Sequence, residues 1–153
     1  MSHDYDYLII GGGMVADAAA KGIREKDGDG TIGIIGEEST APFPRPALSK
    51  KLWTDADFTE DDAALDTAEE TGAVLHLGAR ADTIDREAKT VTTSTGESFG
   101  YGRLLLATGG HPRQIAGLAP SARVIYYRTL EHYHRLRAAA ADHPHVAVVG
   151  GGY

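Results

Sequence analysis

Apolar positions along the chain fall into short runs closed by glycine or proline, interleaved with two longer alanine- or arginine-bearing stretches. Residues 5–10, Tyr5, Asp6, Tyr7, Leu8, Ile9 and Ile10, hold one charge and run into three glycines. A run of this length ahead of a glycine cluster predicts a buried parallel strand. Residues 14–26 are rich in alanine, with lysine, arginine and glutamate late in the segment. That pattern predicts a helix whose small side chains sit close on a sheet. Asp27, Gly28, Asp29 and Gly30 are turn chemistry that ends it. Residues 31–36 form a second β-branched run, which completes a βαβ unit.

Beyond that unit lies Pro42, Phe43, Pro44, Arg45 and Pro46, which cannot be regular structure. A short helix is predicted over 47–53. An acidic amphipathic helix with a glycine stop is predicted over 59–72, and a third strand over 74–77. Residues 81–84, 90–94 and 98–99 predict a small antiparallel meander, with Thr95 and Gly96 as a hairpin turn. Residues 104–107 predict another buried strand, 129–141 a helix, and 145–149 a strand that enters Gly150, Gly151 and Gly152. The expected fold is α/β: a Rossmann-like βαβ sheet with helices on both faces and an inserted antiparallel β-meander.

Composition narrows the function classes. The 153 residues contain no cysteine, which excludes a disulfide framework, a thiolate metal site and a redox-active cysteine pair. The formal charge of −7 disfavours a nucleic-acid partner. No apolar run approaches the roughly 20 residues of a membrane span, and the polar, acidic start is unlike a secretory signal. A cytoplasmic location is the expectation.

Three motifs carry chemistry. In Gly11, Gly12, Gly13, Met14, Val15 and Ala16, a strand feeds a G-x-G-x-x-A turn that opens a helix. Gly11 makes the tight turn, Gly13 admits a pyrophosphate to the backbone, and Ala16 lets helix and strand pack closely. The helix start offers free amides and partial positive charge to phosphates. Glu37 lies 21 positions after Ala16, at the end of the second strand, where an acid can hydrogen-bond a ribose diol. Its neighbour Glu38 is the alternative holder of that role. The second motif places Arg45 and Lys50 just beyond the acid, a planar fork and a point charge for an anionic cofactor. In the third, residues 104–106 lead into Ala107, Thr108, Gly109 and Gly110, small residues that allow a flat ligand close to the backbone.

Taken together, Gly11 to Ala16, Glu37, the run Arg45, Pro46, Ala47, Leu48, Ser49, Lys50, Lys51, Leu52, Trp53, the run Ala107 to Arg113, and Tyr127, Arg128, Thr129, Leu130 resemble the pyridine nucleotide-disulfide oxidoreductase superfamily. Within it they are similar to the branch of ferredoxin, rubredoxin and putidaredoxin reductases and apoptosis-inducing factor. The resemblance implies an FAD-dependent enzyme that takes hydride from NAD(P)H and passes electrons to a ferredoxin- or rubredoxin-like acceptor. It implies that the glycine turn through Ala16 holds the FAD pyrophosphate and Glu37 the adenosine ribose. Arg45 and Lys50 would lie near the pyrophosphate and flavin, and the backbone of Arg80 and Ala81 along the adenine. Ala107, Thr108, Gly109 and Arg128 would contact FAD.

By the same resemblance, residues 1–142 form an FAD-binding domain lacking its closing segment, and 143–153 the first strand and glycine turn of an NAD(P)-binding domain. On that basis the 153-residue chain alone is expected to lack NAD(P)H reductase activity. The missing cysteine pair directs electrons to an outside acceptor. No side chain is an evident acid–base catalyst. His132, His134, His143 and His145 are read as solvent-facing, with no metal site expected, and the acidic pairs Asp61, Asp62 and Glu69, Glu70 as a solvated helix face. Two other readings stay open: a non-catalytic adenine-dinucleotide-binding module, and a non-functional gene fragment.

Overall fold

The computed structural model describes residues 2–141 and 145–150. The chain forms two compact units, Met1–Gly110 and His111–Tyr153. The strands of the first unit are β1 (Ser2–Ile10), β2 (Ile32–Gly36), β3 (Val74–Leu77), β4 (Ala81–Asp85), β5 (Thr90–Thr93) and β6 (Ser98–Leu106). They build one six-stranded sheet in the order β3-β2-β1-β6-β5-β4. β1 runs parallel to β2 and to β6, and β2 parallel to β3. β5 runs antiparallel to β4 and β6. The mixed α/β architecture is the one the pattern predicts.

The two segments read separately at 98–99 and 104–107 are halves of a single nine-residue strand, β6. Its interior glycines weaken the strand signal in the sequence. In the fold they admit β1, since a side chain on Gly102 would begin 2.8 Å from the Asp6 carbonyl oxygen. The meander is therefore a continuation of the main sheet through β6.

Helix α1 (Met14–Arg24) lies on the face lined by Ile9, Ile32 and Ile34, with Ala16 and Ala20 fully buried in the contact. The small side chains let the helix sit close on the sheet, and their burial contributes at roughly 25 cal/mol per Å2 of apolar surface. The opposite face carries Leu8, Ile10, Ile35, Val91 and Phe99, flanked by Tyr5 and Tyr101.

The predicted helix over 47–53 is instead a 3-10 turn, Arg45–Ser49, then α2 (Lys51–Thr54), broken at Lys50 with φ −130° and ψ −105°. The predicted helix over 59–72 is also two pieces, a 3-10 turn at Asp61–Ala63 and α3 (Thr67–Thr71), with Asp66 left-handed between them. Side-chain bonds compete with the helix here. Thr59 donates its amide and hydroxyl to the Asp62 carboxylate at 2.7 and 2.6 Å. The Leu65 carbonyl accepts from Lys21 of α1.

Two polar networks fix α1. At its end, Arg24 donates from Nε to the Thr71 carbonyl at 2.7 Å and from Nη1 to the carbonyls of Asp27, Gly28 and Gly30. Nearer its start, the buried Asp17 accepts from Thr67 Oγ1 at 2.7 Å and pairs with Lys21, which also reaches Glu70.

In the second unit, α4 (Leu130–Ala140) is capped by Thr129, and His132 Nδ1 accepts from the amides of Arg128 and Thr129. Tyr126 pins the preceding loop, accepting from Ile115 N–H and donating to the Leu118 carbonyl. His134 is exposed and packs edge-on to Tyr133. The strand predicted at 145–149 is not formed in 145–150: no strand among the described residues pairs with it, and Val148 remains 83% exposed. His143 and residues 151–153 lie outside the described residues.

Replacing Arg24 by Met leaves four carbonyls without their charged donor. A loss of about 2–3 kcal/mol in urea unfolding is expected, with Arg24→Lys recovering only part because an ammonium lacks the guanidinium fork.

His76 on β3 bonds through Nε2 to the Tyr5 hydroxyl at 2.7 Å and packs edge-on to Phe99. Burial, then the nearby charge of His3, holds its pKa below the ordinary 6.5. The unfolded chain thus takes up the proton first. His76's contribution to stability is complete above about pH 6.5 and is lost as pH falls from there through its lower folded pKa. Urea midpoints measured at pH 7.5 and 5.5 should differ less in His76→Gln than in the unmodified protein.

Candidate functional site

β1 lies between β2 and β6, and at its carboxyl end the chain turns through the three glycines into α1. Ligands of open α/β sheets sit outside this end of the strands. The Gly11 amide donates to the Ile35 carbonyl at 2.8 Å, and the Ala107 amide to the Ile10 carbonyl at 2.7 Å, so the turn is tied to both neighbours. Gly11 has φ +118°, and a side chain there would begin 2.1 Å from the Ala107 carbonyl oxygen. Its glycine is required by the fold.

Gly13 is different. It has an extended backbone, φ −108° and ψ −167°, and a Cβ there would meet nothing within 4 Å. Neither conformation nor packing inside the protein calls for glycine, and the open space lies at the start of α1. No side chain caps that start, and the Gly13 carbonyl takes the amides of Ala16 and Asp17. The earlier amides, of Met14 and Val15, have no acceptor within the helix. Those two residues are 45% and 60% exposed, whereas Ala16 is fully buried. Open backbone and uncapped amides suit a pyrophosphate.

Around this turn the fold gathers most of the residues singled out by sequence. Glu37 is exposed at the end of β2, and Glu38 beside it is half-buried. Glu38 pairs with Arg45, Nη2 to Oε1 at 2.5 Å, and Arg45 also stacks over Phe43. The Glu38 Oε2 atom is buried, with no hydrogen-bond partner among the described residues. The loop after β3 is tied in by the amides of Gly78 and Ala79, which donate to the Glu38 and Gly36 carbonyls. That loop carries exposed Arg80, paired with Asp82 at 2.8 Å, and leads into Ala81 at the start of β4. Ala107 is half-buried, while Thr108 and Gly109 are exposed beyond the end of β6. Lys50 is exposed at the break before α2, and no hydrogen bond or ion pair ties its ammonium to the glycine turn. Arg128 is half-buried in the second unit, just ahead of α4.

Gly36 and Gly78 were not singled out by sequence. A side chain on Gly36 would press on Leu77 and Gly12, and Gly78 has φ +69°. A glycine closing the β-branched run at 31–36 and one directly after the strand at 74–77 were the signals available. Among the described residues, no three or more His, Cys, Asp or Glu side chains come together as a metal site, and no helix is long and apolar enough to cross a membrane.

The strand order, the βαβ start and the glycine turn at the carboxyl end of β1 define a Rossmann-like sheet of the reductase type. Residues 5–153 match the family described as "Pyridine nucleotide-disulphide oxidoreductase", and the chain belongs to that family. It is 37% identical over 153 residues to the anthranilate 1,2-dioxygenase system ferredoxin--NAD(+) reductase component of Burkholderia cepacia, covering 96% of this chain and 37% of that protein. It is 33% identical over 180 residues to apoptosis-inducing factor 1, mitochondrial, of Dictyostelium discoideum, covering 100% of this chain and 33% of that one. Among solved structures it superposes on putidaredoxin reductase in its covalent complex with putidaredoxin with a TM-score of 0.76 at 28% identity, covering 88% of this chain and 34% of that one. The chain thus spans about a third of the length of these relatives.

The two glycines should separate on substitution. Gly11→Ala combines backbone strain with a main-chain clash and should lose about 3 kcal/mol or more. Gly13→Ala, an N-cap change into open space, should lose no more than about 1 kcal/mol. Thermal and urea unfolding of the two variants side by side checks this.

Proposed function

We propose that this chain is the FAD-binding portion of a flavoprotein oxidoreductase that takes hydride from NAD(P)H and delivers electrons to a ferredoxin- or rubredoxin-like carrier. Gly13 carries the reading: a glycine that the protein's own packing does not require, in front of an uncapped helix, is explained by a ligand that lies against it. The relatives support the kind of electron carrier, since several are ferredoxin reductases by name.

In this reading the amides of Gly12, Gly13, Met14 and Val15 bind the pyrophosphate, aided by the partial charge of α1. Glu37 takes the adenosine ribose from the end of β2, with Glu38 beside it. Arg45 and Lys50 offset the remaining phosphate charge and border the flavin. The backbone at Arg80 and Ala81 lines the adenine, and Ala107, Thr108, Gly109 and Arg128 lie along the cofactor. Residues 1–142 make up the FAD-binding domain, and 143–153 begin the NAD(P)-binding one. When bound, FAD supplies the redox chemistry, accepting hydride from NAD(P)H and releasing electrons singly; the protein positions the group and tunes it. No side chain of this chain is assigned as a proton donor or acceptor.

Protein purified with its flavin should show flavin absorbance and release FAD, not FMN, on denaturation. Colourless protein that cannot be reconstituted with FAD would overturn the proposal. Within it, Glu37→Ala removes a charge-assisted hydrogen bond worth about 1.5–3 kcal/mol, so FAD affinity should fall roughly 10–150-fold. Fluorescence titration of FAD measures this, and an unchanged affinity would move the ribose role to Glu38.

A further inference from the structure

Gly12 and Gly36 meet through their main chains. A side chain on Gly12 would begin 3.3 Å from Gly36 Cα, and one on Gly36 would begin 3.4 Å from Gly12 Cα and 3.3 Å from Leu77 Cδ2. Carbon atoms rest at about 3.5–4.0 Å, so neither position has room for a methyl group at its present spacing. Neither residue has a positive φ, so conformation does not call for glycine at either one; the contact does. The pair thus differs from Gly11, where φ and a clash both demand glycine, and from Gly13, which faces open space.

The contact joins two halves of the proposed site. Gly12 belongs to the turn that leads into α1, and Gly36 is the last residue of β2, with Glu37 directly after it. The loop toward Arg80 and Ala81 is tied to the β2 side, because the Glu38 and Gly36 carbonyls accept the amides of Gly78 and Ala79. The register of β1 with β2 runs to Ile10 opposite Ile35, and the Gly11 amide closes it on the Ile35 carbonyl at 2.8 Å. Beyond that bond, the approach of Gly12 to Gly36 sets how close the turn lies to the strand that carries Glu37.

We infer that Gly36 is a positioning residue: by lacking a side chain it fixes the span between the amides of Gly13, Met14 and Val15 and the acid at Glu37, and so fits the site to a ribose joined to a diphosphate. The inference rests on the dinucleotide site proposed above and adds to it the element that sets its span. A methyl at 36 meets Leu77, a side chain that can turn aside, and Gly12, a main chain that moves only with its turn; the neighbour must give by a few tenths of an ångström. Each half keeps its own geometry, since Glu37 and the loop at 78–81 travel with β2 and the amides travel with α1. A binding constellation must be held to within about 0.5 Å, so a ligand that bridges both halves should lose about three- to tenfold in affinity.

The test titrates inorganic pyrophosphate, adenosine, ADP and FAD into the 153-residue chain and its Gly36→Ala variant, with circular dichroism melts to confirm folding. Gly36→Ala should weaken ADP and FAD about three- to tenfold while pyrophosphate and adenosine bind as before. Should Gly36→Ala fail to fold, Gly12→Ala enters the same contact from the turn and should weaken ADP by a larger factor than pyrophosphate. Unchanged ADP affinity in folded Gly36→Ala overturns the inference, because the contact then does not set the span. An equal loss on pyrophosphate, in either variant, overturns it by placing the effect on the turn itself, and an equal loss on adenosine does so by placing it on the ribose side alone. An unmodified chain that binds neither ADP nor FAD overturns the site as a whole, and that outcome is seen without any variant.

Discussion

Among the described glycines, the tightest approach to another main-chain segment is where Gly11 passes the Ala107 carbonyl. No side chain fits between them, and the paired bonds from Gly11 to Ile35 and from Ala107 to Ile10 close the ends of three neighbouring strands around one turn. The parallel register of β1 with β6, Ile10 opposite Leu106, runs up to this contact. Because the turn cannot move sideways, the first residue of α1 is placed to within the tolerance of two short hydrogen bonds. The direction of the uncapped amides of that first turn is therefore fixed by the sheet itself.

A helix aimed at one end must also be held along its length. Alanines at 16 and 20 let α1 sit close on the sheet, but small side chains bury little area, and close approach alone is weak fixation. The polar networks add what the seam lacks. Arg24 gathers the carbonyls of the turn after α1 and of α3. Asp17, Thr67, Lys21 and Glu70 bridge α1 to α3 near the other end. A buried carboxylate without its cation would be costly, so Asp17 and Lys21 act as a unit. The same arrangement neutralises an acid in the first turn of α1.

Much of the site was legible in the residues. Glycine spacing followed by alanine, with an acid at the end of the next β-branched run, specifies a strand, a turn and a helix start in local terms that survive folding. Less legible were the segments over 47–53 and 59–72. Their composition favours helix, yet Asp62 bonds back to Thr59 and the Leu65 carbonyl is taken by Lys21. Such partners lie in other elements or compete within a few residues, and periodicity does not report them. The long β6 was missed for a related reason, since its glycines accommodate β1 from across the sheet.

The sequence by itself determined the βαβ start, the position of the glycine turn and the residue types that border it, because backbone permissiveness and hydrophobic period act over a few residues. Motif position already separated Gly11, at the tight turn, from Gly13; tertiary structure supplied the physical reason, since the Ala107 carbonyl stands against Gly11 while Gly13 faces open space. Tertiary structure alone decided that Glu37 stands exposed while Glu38 is turned onto Arg45. Both glutamates follow the last residue of β2, where the pleat no longer directs side chains, and what each meets is set by the loops that pack there.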